Sequence, residues 1–422
     1  MTSYLTRDLA DDAVSTQTEA LDRVVVCGAG PVGLTVALVL AKAGVPVTVF
    51  EKLDTLATES RASTFHPPTL ELLDQLGIAE SVVRDGLRAP TTQFRDRSAG
   101  PVATFDLGVL AGETAFPFRI QLEQSKLTPI LLAELERGAT AGEYDVDVRF
   151  SHRSHRAAVG DQQATLLVGT STDLIEVTAP WLIGTEGTHS AVRSSLGIDL
   201  VGETYPERFL VVSVAEELSD HLDDLAFVNY VADPDEWLVL LRTPDHWRVL
   251  FPITDGPDEA ERTDADVLDN ASIQAMLSGV VDLGRPWEVL ATSLYVVARQ
   301  VATTMRCGPV LLAGDAAHQN SPLGGMGMNS GIQDAVSLGR RLARVWAGES
   351  DELLDEYDRL RRRVATEFVQ ADSHANWLVL REVDPGRRQE LQADLRAVAA
   401  DPIRHAERMR RTAMLDSVRS SL

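Results

Sequence analysis

The feature that most constrains this chain is a set of glycines at Gly28, Gly30 and Gly33. They follow directly on Val24, Val25, Val26 and Cys27, an apolar run suited to a buried parallel strand. They open the stretch LTVALVLAKAG, helical in composition and stopped at Gly44. A second β-branched run, VPVTVFE, covers 45–51. The whole is a β–turn–α–β unit of about thirty residues. Its spacing has a physical reason. The first glycine allows a tight turn, the second lets backbone approach a pyrophosphate, and the third lets helix and strand pack closely. The helix start is Pro31, which has no N–H, and the N–H groups that follow it, at Val32 and Gly33, then face phosphate. Glu51 stands 18 residues after Gly33, where a carboxylate accepts from ribose hydroxyls and repels a 2′-phosphate; Lys52 beside it belongs to the same expected site. The unit is expected to bind an adenine dinucleotide, either FAD or NAD.

A second motif separates these two. Residues 309–331 read PVLLAGDAAHQNSPLGGMGMNSG. A strand ends at Gly314 and Asp315, where an acid meets a second ribose or a ribityl chain. Pro322, Gly325, Gly327, Met328 and Asn329 then lead into a helix. A glycine-rich loop at a helix N-terminus presents N–H groups to a partly anionic ring. The plainer alternative is a flexible loop capped by a helix.

The two motifs together resemble the flavoprotein aromatic hydroxylases of the para-hydroxybenzoate hydroxylase type, single-component FAD monooxygenases. The resemblance spans about residues 22–365. It implies that Asp315 meets the ribose–ribityl part of FAD and that the Pro322–Asn329 loop meets the pyrimidine edge of the flavin. It also implies cofactor contacts from Arg61, after the second strand, and from Gln124, at the start of a long helix. One position departs from the pattern. Where the family has Asp-Gly after a strand, this chain has Glu186 and Gly187. The charge is kept with one more methylene, which leaves open a finer role in nicotinamide handling. The other reading of Glu186 is an acid at a helix N-terminus and nothing more.

The fold class implied is α/β: a Rossmann-like FAD domain of the glutathione-reductase type, an inserted, mainly antiparallel β substrate domain, and a C-terminal helical region. The expected boundaries are a flexible extension at 1–20, an FAD domain in pieces at 21–95, 122–198 and 300–345, a substrate domain at 96–121 and 199–299, and helices at 346–422. The runs AFVNYV, WLVLLR and WRVLF, separated by turn residues, predict an antiparallel meander over 208–251. The charged helices after 351 are expected to pack on the FAD domain or form a dimer face, so the chain is a monomer or homodimer.

Composition excludes several classes. Lys plus Arg is 39 and Asp plus Glu is 63, so 39 − 63 gives −24. A general nucleic-acid or anionic-membrane binder needs a basic face instead. The apolar stretch 24–50 is broken by glycines, Pro31 and Lys42 and does not span a membrane. The two cysteines, Cys27 and Cys307, build neither a disulfide framework nor a zinc site, and no histidine has ligand partners at usable spacing, so no metal is expected. The polar N-terminus lacks a signal-peptide pattern, and the setting expected is soluble and cytoplasmic.

The resemblance further implies the chemistry. NAD(P)H, a transient co-substrate, reduces the flavin. Dioxygen forms a C4a-hydroperoxide, which hydroxylates a small phenolic substrate. Such a site needs a phenol-activating group. Tyr230, as a proton relay, and Arg242, as an anion holder, are the candidates on the meander; Asn229 and Tyr230 point to opposite faces. His318 is expected to hydrogen-bond near the cofactor, His66 to cap the helix after it, and His246 to be solvated. Three alternatives stay open: a flavin reductase or dehydrogenase, a halogenase, and a non-catalytic redox sensor. The halogenase needs a lysine beyond the flavin, and Lys42, Lys52 and Lys126 all lie in or beside nucleotide-binding elements.

Overall fold

The structure is a computed structural model and describes residues 16–59, 62–160, 163–254 and 262–421. Its centre is a six-stranded sheet in the order 306–307, 310–312, 181–184, 24–27, 47–50, 146–149. Five of these strands run parallel, and Arg306–Cys307 is an antiparallel edge. Val24–Cys27 is fully buried on both faces, as its unbroken apolar run requires. Each such side chain is worth about 1.5–3 kcal/mol when buried. Helix Pro31–Lys42 packs against Gly327–Trp346, the long helix that follows the second motif. Two distant stretches of sequence are thereby joined in one domain.

The substrate layer is an eight-stranded sheet in the order 318–319, 289–302, 200–214, 247–253, 238–242, 228–232, 91–96, 100–106. The three strands Val228–Ala232, Leu238–Arg242 and Trp247–Ile253 form the expected antiparallel meander. The sheet extends past the sequence boundaries: it takes in Thr91–Asp96 at one side and His318–Gln319 at the other. Arg119–Gln121, inside the stretch assigned to the substrate layer, instead pairs with Thr64–Phe65 and Leu87–Ala89 in a small separate sheet.

The two faces of the large sheet carry different cores. One face, with Leu210, Val212, Leu238, Leu240 and Trp247, is covered by helix Asn270–Val280. The other, with Phe94, Phe209, Tyr230, Val239 and Leu250, packs on Trp377, Leu380, Leu395, Val398 and Met409. The C-terminal helices therefore divide their work. Glu352–Val364 joins the FAD-domain core through Leu354 and Tyr357. The helices Ala371–Leu380, Pro385–Ala400 and Pro402–Thr412 cover the substrate sheet, a placement the sequence expectation did not include. A π-helical turn, Ala365–Gln370, links the two groups.

The N-terminal extension is corrected in part. Thr16–Ala20 is a strand paired in parallel with Leu174–Ala179, at the edge of a four-stranded sheet. Its polar composition hid this, because an exposed edge strand needs no apolar run. No helix among the described residues is long and apolar enough to cross a membrane.

Candidate active site

The first glycine turn has the geometry its spacing predicts. Gly28 sits at φ +103°, where a side chain would be strained. A Cβ on Gly33 would lie 1.9 Å from the Gly28 carbonyl oxygen and 2.7 Å from Thr185 Oγ1. A Cβ on Gly30 would meet nothing within 4 Å. Gly33 is thus a packing glycine, and Gly30 borders open space at the start of a helix with Pro31 in its first turn. Glu51 accepts from Ala29 N (2.8 Å) and from Leu53 N (3.0 Å), one bond to each oxygen. A carboxylate has about four acceptor positions, so capacity for a diol remains. Lys52 is exposed.

Val32 joins this turn to the second motif. A Cβ on Gly314 or on Gly331 would fall 2.8 or 2.6 Å from Val32 Cγ2. Gly314, at φ +62°, leads into a short 3-10 turn that leaves Asp315 exposed at the strand end. Behind this turn lies a buried polar network. Asp334 Oδ2 accepts from Gly314 N (3.0 Å) and His318 Nε2 (2.6 Å), and Oδ1 accepts from Arg361 Nε (2.5 Å). Asp334 and Arg361 are both 0% exposed. Burial pushes the Asp334 carboxyl up, but Arg361 and His318 outweigh it and hold it below its ordinary value. His318 thus makes a structural hydrogen bond to Asp334 behind the Gly314 turn.

The glycine loop is tied down by Asn329. Its Oδ1 accepts from His66 N (2.8 Å), and its Nδ2 donates to Thr64 O and Gly325 O (2.7 Å each). Gly324 and Gly325 have φ of +100° and +65°. Gly327 and Met328 open the helix that begins there, after Pro322, so its first N–H groups face outward from the loop. His66 occupies the N-cap position of Pro67–Gln75 without a side-chain cap bond, contrary to expectation. Its Nε2 instead bonds Gly324 O at 2.8 Å. Gln124 starts helix Gln124–Thr140, its N–H on Ala62 O at 2.8 Å, beside the 62–66 stretch that the loop also touches. Arg61 lies outside the described residues. Two buried polar atoms near this junction, Gln121 Nε2 and His66 Nδ1, have no hydrogen-bond partner among the described residues. A planar ring with donors and acceptors on its edge would supply partners, and with the two glycine turns the residues present fit FAD.

Glu186 turns inward. Its carboxylate accepts from Ser190 Oγ (2.8 Å) and Val192 N (3.0 Å) at the start of the short helix Ala191–Ser195. Burial raises its carboxyl above the ordinary value. The added methylene is used to reach this helix end, which favours the reading as a helix N-terminal acid. Gly187 follows at φ +89°.

A small cavity adjoins the glycine loop. Gly324 and Met326 form one wall, Thr92, Phe94 and Tyr230 of the large sheet a second, and Asn376, Arg408, Met409 and Thr412 of the C-terminal helices a third, with Arg119 between them. Tyr230 stacks on Phe94 (5.2 Å between centroids, 29°) and lies beside Arg119 in the lining. Arg242 is not in this cavity. Tyr230 pairs with Val239 across the strands, and Arg242 is three residues further on, so it emerges on the opposite face. There it bonds Glu217 Oε2 (3.0 Å) and the Thr243 carbonyl. Asn229 also faces away, both its polar atoms bonded to Ala226. His246, expected in solvent, has an 18% exposed side chain 3.8 Å from Glu123.

Arg119, Arg408 and the Asp334–Arg361 pair escaped the sequence reading. For Arg119 a signal existed: a lone cation between Phe118 and Ile120 in a short apolar strand. Arg361 and Arg408 lie in helices full of surface arginines, and nothing local distinguishes them.

Comparison with known proteins fits this geometry. The family model described as "FAD binding domain" matches residues 22–372. The para-nitrophenol 4-monooxygenase of Pseudomonas sp. (strain WBC-3) is 32% identical over 375 residues, covering 88% of this chain and 90% of that one. The crystal structure of p-nitrophenol 4-monooxygenase from Pseudomonas putida DLL-E4 superposes with a TM-score of 0.88 at 29% identity, covering 96% of this chain and all of that one. A ternary complex of aklavinone-11 hydroxylase with FAD and aklavinone superposes with a TM-score of 0.75 at 29% identity, covering 86% and 69%.

Proposed function

The chain belongs to the FAD-binding-domain family, and from that premise we propose that it is an FAD-dependent monooxygenase that uses NAD(P)H and dioxygen to hydroxylate a small phenolic ring. The observation that carries this reading is the continuity of two sites. The cradle formed by the Gly28 and Gly314 turns runs into the Asn329-clamped loop, and the cavity holding Tyr230 opens on that loop.

When bound, FAD would supply the capacity to accept hydride from NAD(P)H and to activate dioxygen, one oxygen atom going to the ring and the other to water. The rest is the work of this chain. The turn at Gly28, Gly30 and Gly33 offers backbone N–H groups to the pyrophosphate, Glu51 takes the adenosine ribose, and Asp315 takes the ribityl side. The first N–H groups of helix Gly327–Trp346 put positive potential at the edge where the reduced ring is anionic. Phe94, Met326 and Met409 exclude water from the reacting ring. Tyr230, a lining residue of the cavity, is the group assigned to exchange a proton with the substrate phenol. None of the three lysines lines the cavity, which weighs against the halogenase alternative.

The test is direct. The purified protein should carry the absorption spectrum of bound FAD, and phenols should stimulate NAD(P)H oxidation with formation of a hydroxylated product. Asp315→Ala should lower FAD occupancy. Stimulated oxidation with only peroxide released, across a broad phenol panel, would move the assignment to a reductase or oxidase.

A further inference from the structure

Arg119 is buried to 3% exposure, and its Nε and Nη1 have no hydrogen-bond partner among the described residues. Its Nη2 is 3.5 Å from Thr412 O, at the limit of a hydrogen bond. Among the described residues no carboxylate pairs with it, and its neighbours are Tyr230 and His66. Burial and the Arg119 charge push the His66 imidazole well below its ordinary value, so it is neutral there. The second cation of the cavity, Arg408, lies over the rings of Phe94 (5.3 Å) and Phe105 (4.8 Å). The acids nearest to it are committed elsewhere: Asp372 to Arg411 (2.6 Å) and Asp394 to Arg404 (2.8 Å).

A chain of net charge −24 thus places one buried guanidinium, Arg119, and one half-buried, Arg408, at a single cavity with no carboxylate among its described lining residues. Burying a charge without a partner is costly, and a ligand that brings the opposite charge removes that cost. The remaining lining combines Phe94, Tyr230, Met326 and Met409, which suit a flat ring, with the uncharged polar Thr92, Asn376 and Thr412. We infer that Arg119, flanked by Tyr230 and Arg408, is the specificity-determining group of this site and holds an anionic oxygen on the aromatic substrate. The inference rests on the hydroxylase reading for the site and adds the charge state of the ligand: a phenolate or a ring carboxylate in preference to a neutral arene. Bound this way, an ionised phenol has its oxygen beside Tyr230 and faces the glycine loop with its ring.

The test uses the FAD-loaded enzyme without NAD(P)H, so turnover does not enter. Calorimetric dissociation constants are measured for 4-nitrophenolate, 4-nitrobenzoate and the neutral ether 4-nitroanisole. Wild type should bind at least one anion 10- to 100-fold more tightly than the ether, the span of a charge-assisted hydrogen bond. Preference for 4-nitrophenolate identifies the phenolate as the held group, and preference for 4-nitrobenzoate the carboxylate. Arg119→Met should erase the preference, Arg119→Lys should restore part of it, and ether binding should change less than about threefold. The visible band of bound 4-nitrophenolate should shift between wild type and Arg119→Met. Equal binding of anions and ether by wild type overturns the inference, even if the Met variant does not fold. An anion preference that survives in Arg119→Met also overturns it. Failure of the hydroxylase reading would show separately, as absence of oxygenated product with these binding ratios intact.

Discussion

Replacing Asp334 with Asn changes one charge in the most deeply buried ion pair of the described structure. Three donors converge on two carboxylate oxygens: Arg361 Nε, His318 Nε2 and Gly314 N, at 2.5, 2.6 and 3.0 Å. Asparagine keeps the shape but offers one acceptor oxygen, and its NH2 group points a donor at a donor. Arg361, 0% exposed, is left without its counter-charge. Removing one partner of a buried pair costs about 3–5 kcal/mol. Domain stability is about 5–15 kcal/mol in total, so the FAD domain is brought close to its unfolding threshold. The loss also strikes the cofactor, because Asp334 sets the Gly314 turn from which Asp315 projects. Urea unfolding of the FAD-loaded and FAD-free proteins at neutral pH, followed by circular dichroism, measures both effects. The expected result is a fall of about 3–5 kcal/mol with unchanged m-value, and a lower FAD occupancy. The sign of the pH effect follows from the depressed carboxyl. With a folded pKa below the unfolded 3.8, the Asp334 contribution is present above 3.8 and is lost as pH falls through the folded value. Asp334→Asn should therefore remove part of the acid sensitivity of wild type. A loss below about 1 kcal/mol, typical of an exposed ion pair, would refute the reasoning.

The glycine turn yields a paired prediction. Gly33→Ala puts a Cβ 1.9 Å from backbone and should cost about 1–3 kcal/mol or more, whereas Gly30→Ala puts one with nothing within 4 Å among the described residues and should weaken FAD binding with stability of the FAD-free protein unchanged. Absorbance ratios and FAD-free melting curves separate the two; equal melting losses would contradict the roles given to them. Arg242→Ala should leave kcat/KM for a phenol within about twofold and cost about 1 kcal/mol or less, since the pair it breaks with Glu217 is partly exposed. A tenfold fall in kcat/KM would mean that this residue reaches the cavity after all.

What was legible in the sequence was local. Strand, glycine turn, helix and acid at 24–51 each depend on a few consecutive residues, and the same holds for the strand end and loop at 310–329. A positive φ at Gly28 or Gly325 is a property of that residue and its neighbours, so spacing alone announces it. Strand alternation also predicted that Asn229 and Tyr230 part company. The same rule applies to Arg242 only once the register Tyr230↔Val239 is known, and register is a tertiary fact.

Other features depended on distant chain. Thr16–Ala20 reads as a frayed tail until Leu174–Ala179 lies beside it. Glu186 reads equally as a cofactor ligand or a helix N-terminal acid, and only the bond its carboxylate accepts from Val192 N favours the second. Arg361 and Arg408 look like their exposed neighbours in sequence, and only the packing of C-terminal helices on the FAD core and on the substrate sheet buries the first and half-buries the second. The sequence by itself determined which cofactor class the chain can cradle, because a phosphate-binding turn is built from adjacent backbone groups. Tertiary structure alone decided which charges are deprived of water and left facing a cavity, because burial is set by whatever far part of the chain folds over them.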